Sequence, residues 1–324
     1  MRNPEQLINN GVFRQLVRRA GFLGARSVLR HTVVPLLLTP ARRRTLRDRV
    51  TRYLTQYFPD FDTLEVQRRS DAFLEHYGQK LAEDCATVNL DSAAAHLRAV
   101  NEHVVFRGAQ NFRRALDRGT GVLAVGAHLG SLVFGNPAFI TLYLTVPPSR
   151  YPVTRICSEP DLARFPKVLQ GFEDVLREYG ADIAFILTHR ERRPISEEMT
   201  EILAAGGLVT SNLDVLMGGG SRKEFAMFDG RARVRLPALV GAAKSALRTG
   251  ATILPWVNLR TDAGFRFELE EPIGPVERLG SAVRDDHPAV EALCGKLVRI
   301  LEGWIVAHPE QWAYWDRFHH RLVT

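Results

Sequence analysis

Cysteine is scarce in this chain of 324 residues, with Cys85, Cys157 and Cys294 far apart and odd in number. That dispersal excludes a disulfide framework and the paired spacings of a metal site, and it fits a reducing compartment. Cys157, near Arg155 and Glu159, has charged neighbours, yet a small packed residue accounts for it more simply. Long hydrophobic runs are also missing. The longest early run, residues 33–38, is interrupted by Pro35 and is too short to span a bilayer. The first residues lack the apolar stretch and cleavage site of a secretory signal. These absences predict a cytoplasmic protein without a membrane-spanning anchor, while contact with the inner face of the membrane stays open. No repeat or low-complexity linker interrupts the sequence. Gly218-Gly219-Gly220 lacks the lysine-serine ending of a P-loop and reads as a loop.

Basic residues are in excess. Lys and Arg number 43 against 36 acidic residues, a formal net charge of +7. An anionic partner follows: an acidic carrier protein, a phospholipid surface or nucleic acid. Aromatics are not interleaved with the basic residues as in a stacking platform, so nucleic acid ranks last. The basic segment 11–31 mixes Phe13, Leu16, Val17, Phe22, Leu23 and Leu29 with Arg14, Arg18, Arg19, Arg26 and Arg30. Such a helix lies on an anionic membrane surface or packs on the protein's own core with its arginines in solvent.

A 45% hydrophobic, 24% charged composition is that of a globular protein with one substantial core. Residues 1–118 read as an N-terminal helical region packed on that core, with helices over 11–31, 41–57, 64–89, 91–102 and 111–117. Phe58-Pro59-Asp60 breaks two of them apart. Residues 119–324 alternate: strands are expected at 151–157, 182–187, 207–212, 252–259 and 265–269. Helices are expected at 161–179, 196–205, 236–249 and 290–307. The alternation predicts an α/β fold with a mostly parallel sheet flanked by helices.

The strongest local signal is residues 121–135, GVLAVGAHLGSLVFG. Val122, Leu123, Ala124 and Val125 read as a buried parallel strand that ends before His128. A histidine released at the carboxyl end of such a strand lies where α/β sheets place ligands, and it can act as general base on a hydroxyl or amine. A satisfied histidine in a turn is the competing reading. Polar groups end later strands at Thr154-Arg155, at Ser211-Asn212-Leu213-Asp214 and at Phe228-Asp229-Gly230, where Asp-Gly suits a tight turn. Carboxyl ends of parallel strands share one sheet edge, so Asp214 is a candidate to fix the tautomer of His128; a turn residue or helix cap is the alternative. His103, His189, His319 and His320 read as non-catalytic, and Trp304, Trp312 and Trp315 as packing anchors.

Five segments in order resemble the lipid A late acyltransferases, the lauroyl/myristoyl branch of the lysophospholipid acyltransferase superfamily. They are RRRTLRDRVTRYLTQYFPDF, GVLAVGAHLGSLVFGN, NLDVLMGG with FAMFDG, ALVGAAKSALRTGATILPWV and HPEQWAYWDRFHHR, within about residues 40 to 320. The resemblance implies an acyltransferase-like core with no cofactor beyond an acyl thioester on acyl carrier protein or coenzyme A. It implies His128 as base for an amine, hydroxyl or lipid acceptor, without a covalent enzyme intermediate. Arg155 would help hold an anionic substrate. Backbone N–H groups of the turn after His128, at Gly130 and Ser131, would stabilise the oxyanion, and Asn212 would line the substrate site. Two departures stand out: the acid five positions after His128 is Val133, and Ser131 replaces the usual asparagine. A valine cannot orient an imidazole, which leaves Asp214 as the candidate replacement. The departures shift the expected acceptor from lipid A itself toward a soluble one, or the acyl group toward an aminoacyl unit; a relative that binds an acyl carrier or lipid without catalysis is the further alternative.

Overall fold

The computed structural model describes residues 11–88, 92–146, 153–157, 166–178, 183–187, 195–215, 221, 223–281, 283–320 and 322–323. Five helices come first: α1 (Gly11–Thr32), α2 (Val34–Leu37), α3 (Pro40–Tyr57), α4 (Thr63–Val88) and α5 (Ala93–His103). Strand β1 (Val104–Arg107) and helix α6 (Ala109–Asp117) lead to β2 (Val122–Gly126), α7 (Leu132–Tyr143), β3 (Val153–Cys157), α8 (Pro166–Glu178), β4 (Ile183–Leu187), α9 (Ile195–Ala204) and β5 (Leu208–Asn212). A hairpin, β6 (Glu224–Met227) and β7 (Ala232–Arg235), precedes α10 (Pro237–Thr249), β8 (Thr252–Thr261), β9 (Gly264–Leu269) and α11 (Pro288–Ala307). Two 3₁₀ segments, Pro309–Gln311 and Ala313–His320, follow.

Seven strands form one sheet in the order β1-β9-β8-β2-β5-β3-β4, and β8 with β9 is its antiparallel pair. The fold is α/β with a mostly parallel sheet, flanked by helices on both faces. Strand β2 lies at the centre, and its apolar run Val122–Val125 is fully buried. Alternate side chains of a strand point to opposite faces. Val122 and Ala124 accordingly join a core with α1, α5, α6 and α7, and Leu123 and Val125 join one with α10 and α11. Helix α4 spans both, with Val66 and Phe73 in the second and Ala82, Cys85 and Ala86 in the first. No helix among the described residues is long and apolar enough to cross a membrane.

Two local arrangements differ from the sequence expectation. The region read as mainly helical also supplies an edge strand that was not expected, since Val104–Arg107 pairs in parallel with β9. Four residues at a sheet edge carry too little alternation to be read, and their partner lies far off in sequence. Helix α7 runs straight through Pro137. Proline donates no N–H, which leaves the carbonyl four residues earlier without its helical bond. That carbonyl belongs to Val133, and the buried His96 Nε2 meets it at 3.0 Å. His96 thus repairs the helix at the point where the proline opens it.

Candidate active site

Strand register builds the site. Gly126 at the end of β2 matches Asn212 at the end of β5, so His128 and Asp214 each stand two residues beyond the same level. The ladder continues past the strands through the Leu213 N–H to the Gly126 carbonyl, at 2.8 Å. There His128 Nδ1 and Asp214 Oδ1 are 2.8 Å apart. The backbone N–H of His128 donates to Asp214 Oδ2 at 2.9 Å, and the Trp312 indole N–H donates to the same oxygen at 2.9 Å. Asp214 is fully buried, while the His128 side chain keeps 18% of its exposure. A carboxylate only accepts hydrogen bonds, so neutral His128 carries its proton on Nδ1 and turns a lone pair outward on Nε2. The Tyr314 hydroxyl lies 3.3 Å from Nε2, its ring centroid 4.4 Å from that of the imidazole.

The turn after His128 is held on several sides. Gly130 adopts φ +66°, and a Cβ there would stand 1.8 Å from the Asn258 carbonyl oxygen. Only glycine combines that backbone with so close an approach. Its N–H donates to the Gln311 carbonyl at 3.0 Å, and the Ser131 N–H donates to the Asn258 carbonyl at 3.2 Å. Gln311 in turn accepts the Arg260 N–H with its side-chain oxygen at 2.8 Å and donates to the Arg260 carbonyl at 3.1 Å. The C-terminal segment is thereby laid along the end of β8 like an added strand.

These bonds correct the expected role of Gly130 and Ser131. Both amides already serve carbonyls, so neither is an open oxyanion donor. The Ser131 hydroxyl faces away too, donating to Glu83 Oε2 at 2.9 Å. Ser131 is the N-cap of α7, yet its side chain makes no cap bond to the first-turn N–H groups that follow the His128 turn in sequence. Glu83, 1% exposed, takes two bonds from the Arg260 guanidinium at 2.9 and 2.6 Å, with Arg26 at 3.5 Å. Further along α4, Arg69 joins Glu65 and Glu310, and His308 lies 3.9 Å from Glu310. His76 sits in this basic layer. Burial, with Arg260 adding to it, lowers its pKa to about 4, so it is neutral near pH 7.

Asn212 is half-buried at the rim of the site, and its enclosed Oδ1 has no partner among the described residues. Arg155 pairs in register with Thr210, and Thr210 with Ala124. Its backbone therefore lies four residues short of the level of His128, about 13 Å along the strands; its side chain lies outside the described residues. The side chains of Thr154 and Cys157, all of His189 and Gly218–Gly220, and parts of the segments expected at 151–157, 161–179 and 182–187 also lie outside them. Asp229 does not reach the site. It caps the β6–β7 hairpin at φ 53°, is 87% exposed and pairs with Arg231 at 3.0 Å. His103 lies 3.7 Å from the Glu102 carboxylate, and His319 and His320 are exposed.

Three site residues escaped the sequence reading: Trp312, Tyr314 and Glu83. A buried indole N–H needs an acceptor, and that need was the available signal for Trp312. Among the described residues, no group of three or more His, Cys, Asp or Glu side chains is arranged to hold a metal ion. No family model and no curated protein matches the chain.

Proposed function

We propose that the chain is an acyltransferase that moves an acyl or aminoacyl group from a carrier thioester, on acyl carrier protein or coenzyme A, to an amine or hydroxyl. The observation that carries this reading is the 2.8 Å bond between a fully buried carboxylate and a partly exposed imidazole at the carboxyl edge of the sheet. Asp214 orients the ring and stabilises the imidazolium, the part that the lipid A acyltransferase resemblance gives to an acid at the position of Val133. His128 Nε2 takes the acceptor's proton as its oxygen or nitrogen attacks the thioester carbonyl. The tetrahedral oxyanion then collapses, the C–S bond breaks, and the imidazolium returns the proton to the leaving thiolate. The first-turn N–H groups of α7 suit the oxyanion, each such donor contributing about 3 kcal/mol in well-studied enzymes. No cofactor beyond the thioester enters this scheme.

A lipid acceptor at the inner membrane face is the second reading. Leu36, 77% exposed on α2, lies a few residues before the exposed Arg42, Arg43 and Arg44, which together suit an anionic bilayer surface. Flotation with anionic liposomes separates the two, since an enzyme with soluble substrates stays unbound. The primary test is intact-mass detection of transfer from carrier-bound thioesters to an amine and alcohol library. His128→Ala should abolish transfer, and unchanged turnover in that variant would rule the mechanism out.

A further inference from the structure

Nε2 is the one ring nitrogen of His128 left to accept a proton once Nδ1 donates to Asp214, and the Tyr314 hydroxyl stands 3.3 Å from it. The phenol ring leans over the imidazole at 4.4 Å with a tilt of 44°. A nucleophile that is to be deprotonated must bring its own O–H or N–H within about 2.6–3.2 Å of the same atom. One lone pair serves one donor well, so phenol and nucleophile compete for it.

The backbone under Tyr314 is anchored to the very turn it covers. The Ala313 N–H donates to the His128 carbonyl at 2.9 Å, Leu129 bridges to Trp312, and the Trp312 indole donates to Asp214. Tyr314 can yield only by turning its side chain, and it is half-buried rather than locked in the core. Resting on the general-base reading above, we propose that Tyr314 is a positioning residue that keeps the acceptor's place. In the free protein its hydroxyl caps Nε2. An acceptor that can donate an O–H or N–H enters by taking over that hydrogen bond while the phenol swings aside. Water finds the base already occupied, so the cap biases the site toward transfer and away from thioester hydrolysis.

The first arm of the test needs no substrate. Diethyl pyrocarbonate modifies the free lone pair of a neutral imidazole, and peptide mapping reads the rate at His128 alone, with His128→Gln as the blank. Tyr314→Phe keeps the ring and removes the hydroxyl, and Tyr314→Leu removes both. The rate should rise about fivefold in each variant, the factor set by losing one ordinary hydrogen bond. Equal rates in wild type and both variants would overturn the cap. The second arm uses an accepted thioester and compares hydrolysis with transfer. Tyr314→Phe should raise the hydrolysis-to-transfer ratio about fivefold, and an unchanged ratio would overturn the place-keeping role. Because the first arm reads only the lone pair, a faster reaction there with no transfer by the wild type would refute the acyltransferase reading and leave the cap standing.

Discussion

Two buried carboxylates flank the turn that follows β2, and they have opposite uses. Asp214 and Glu83 are 0% and 1% exposed, and each accepts at least three hydrogen bonds. Glu83 faces the guanidinium of Arg260, a planar fork of donors that grips it through two bonds, so the pair is a fixed weld between α4, β8 and the turn. Asp214 faces an imidazole whose Nε2 carries a lone pair and whose side chain reaches solvent, so that pair has a site at which a proton can be taken up. Burial makes both carboxylates dependent on their partners. The partner's chemistry decides which one is fitted to proton transfer.

Breaking the two pairs separately should expose that difference. Asp214→Asn keeps the shape but favours the wrong histidine tautomer, and kcat should fall about 10⁴-fold with the fold intact. Single-turnover rates alongside a thermal melt would check both halves. Glu83→Ala strands Arg260 in the interior and should cost about 3–5 kcal/mol of stability in denaturant unfolding. Its activity per folded molecule should stay within about tenfold, and combining it with Arg260→Leu should recover most of the loss. Gly130→Ala tests the turn between the two carboxylates. Strained φ and the overlap with the Asn258 carbonyl should cost about 2–4 kcal/mol and lower turnover as His128 shifts.

The smallest effect concerns His76, at the far end of the Glu83 layer. Its folded pKa of about 4 lies below the ordinary histidine value of 6.5, so protons favour the unfolded chain. Its contribution to stability is complete above about pH 6.5 and is lost as pH falls from there toward 4. His76→Phe should flatten that acid-side loss by about 2 kcal/mol, read from urea midpoints across the window.

The central strand and its histidine were legible because four buried apolar residues between glycines admit few alternatives. Asp214 was legible as a strand-end acid, but its pairing with His128 is a matter of register, which no local pattern encodes. The helices around α3, α4, α10 and α11 were found within a few residues, their limits marked by Pro40, by Phe58-Pro59-Asp60, by Gly250 and by Pro288. Helix α7 was hidden by Gly135 and Pro137, which are poor helix formers until Trp256 fills the space over the glycine and His96 answers the proline. Ser131 and Gly130 looked like ligand contacts because they adjoin His128. Their bonds to Glu83, Asn258 and Gln311 all span long stretches of sequence, which is why adjacency misled.

The segment after α11 ties distant stretches of the chain together. Gln311, Trp312 and Tyr314 follow α11, far from β2 in sequence, yet they brace the turn at the end of that strand and the Asp214 beside it. A nascent polypeptide stopped before residue 309 would present His128 and Asp214 without their clasp. The geometry of the His128–Asp214 pair therefore depends on residues made long after β2 and β5 themselves.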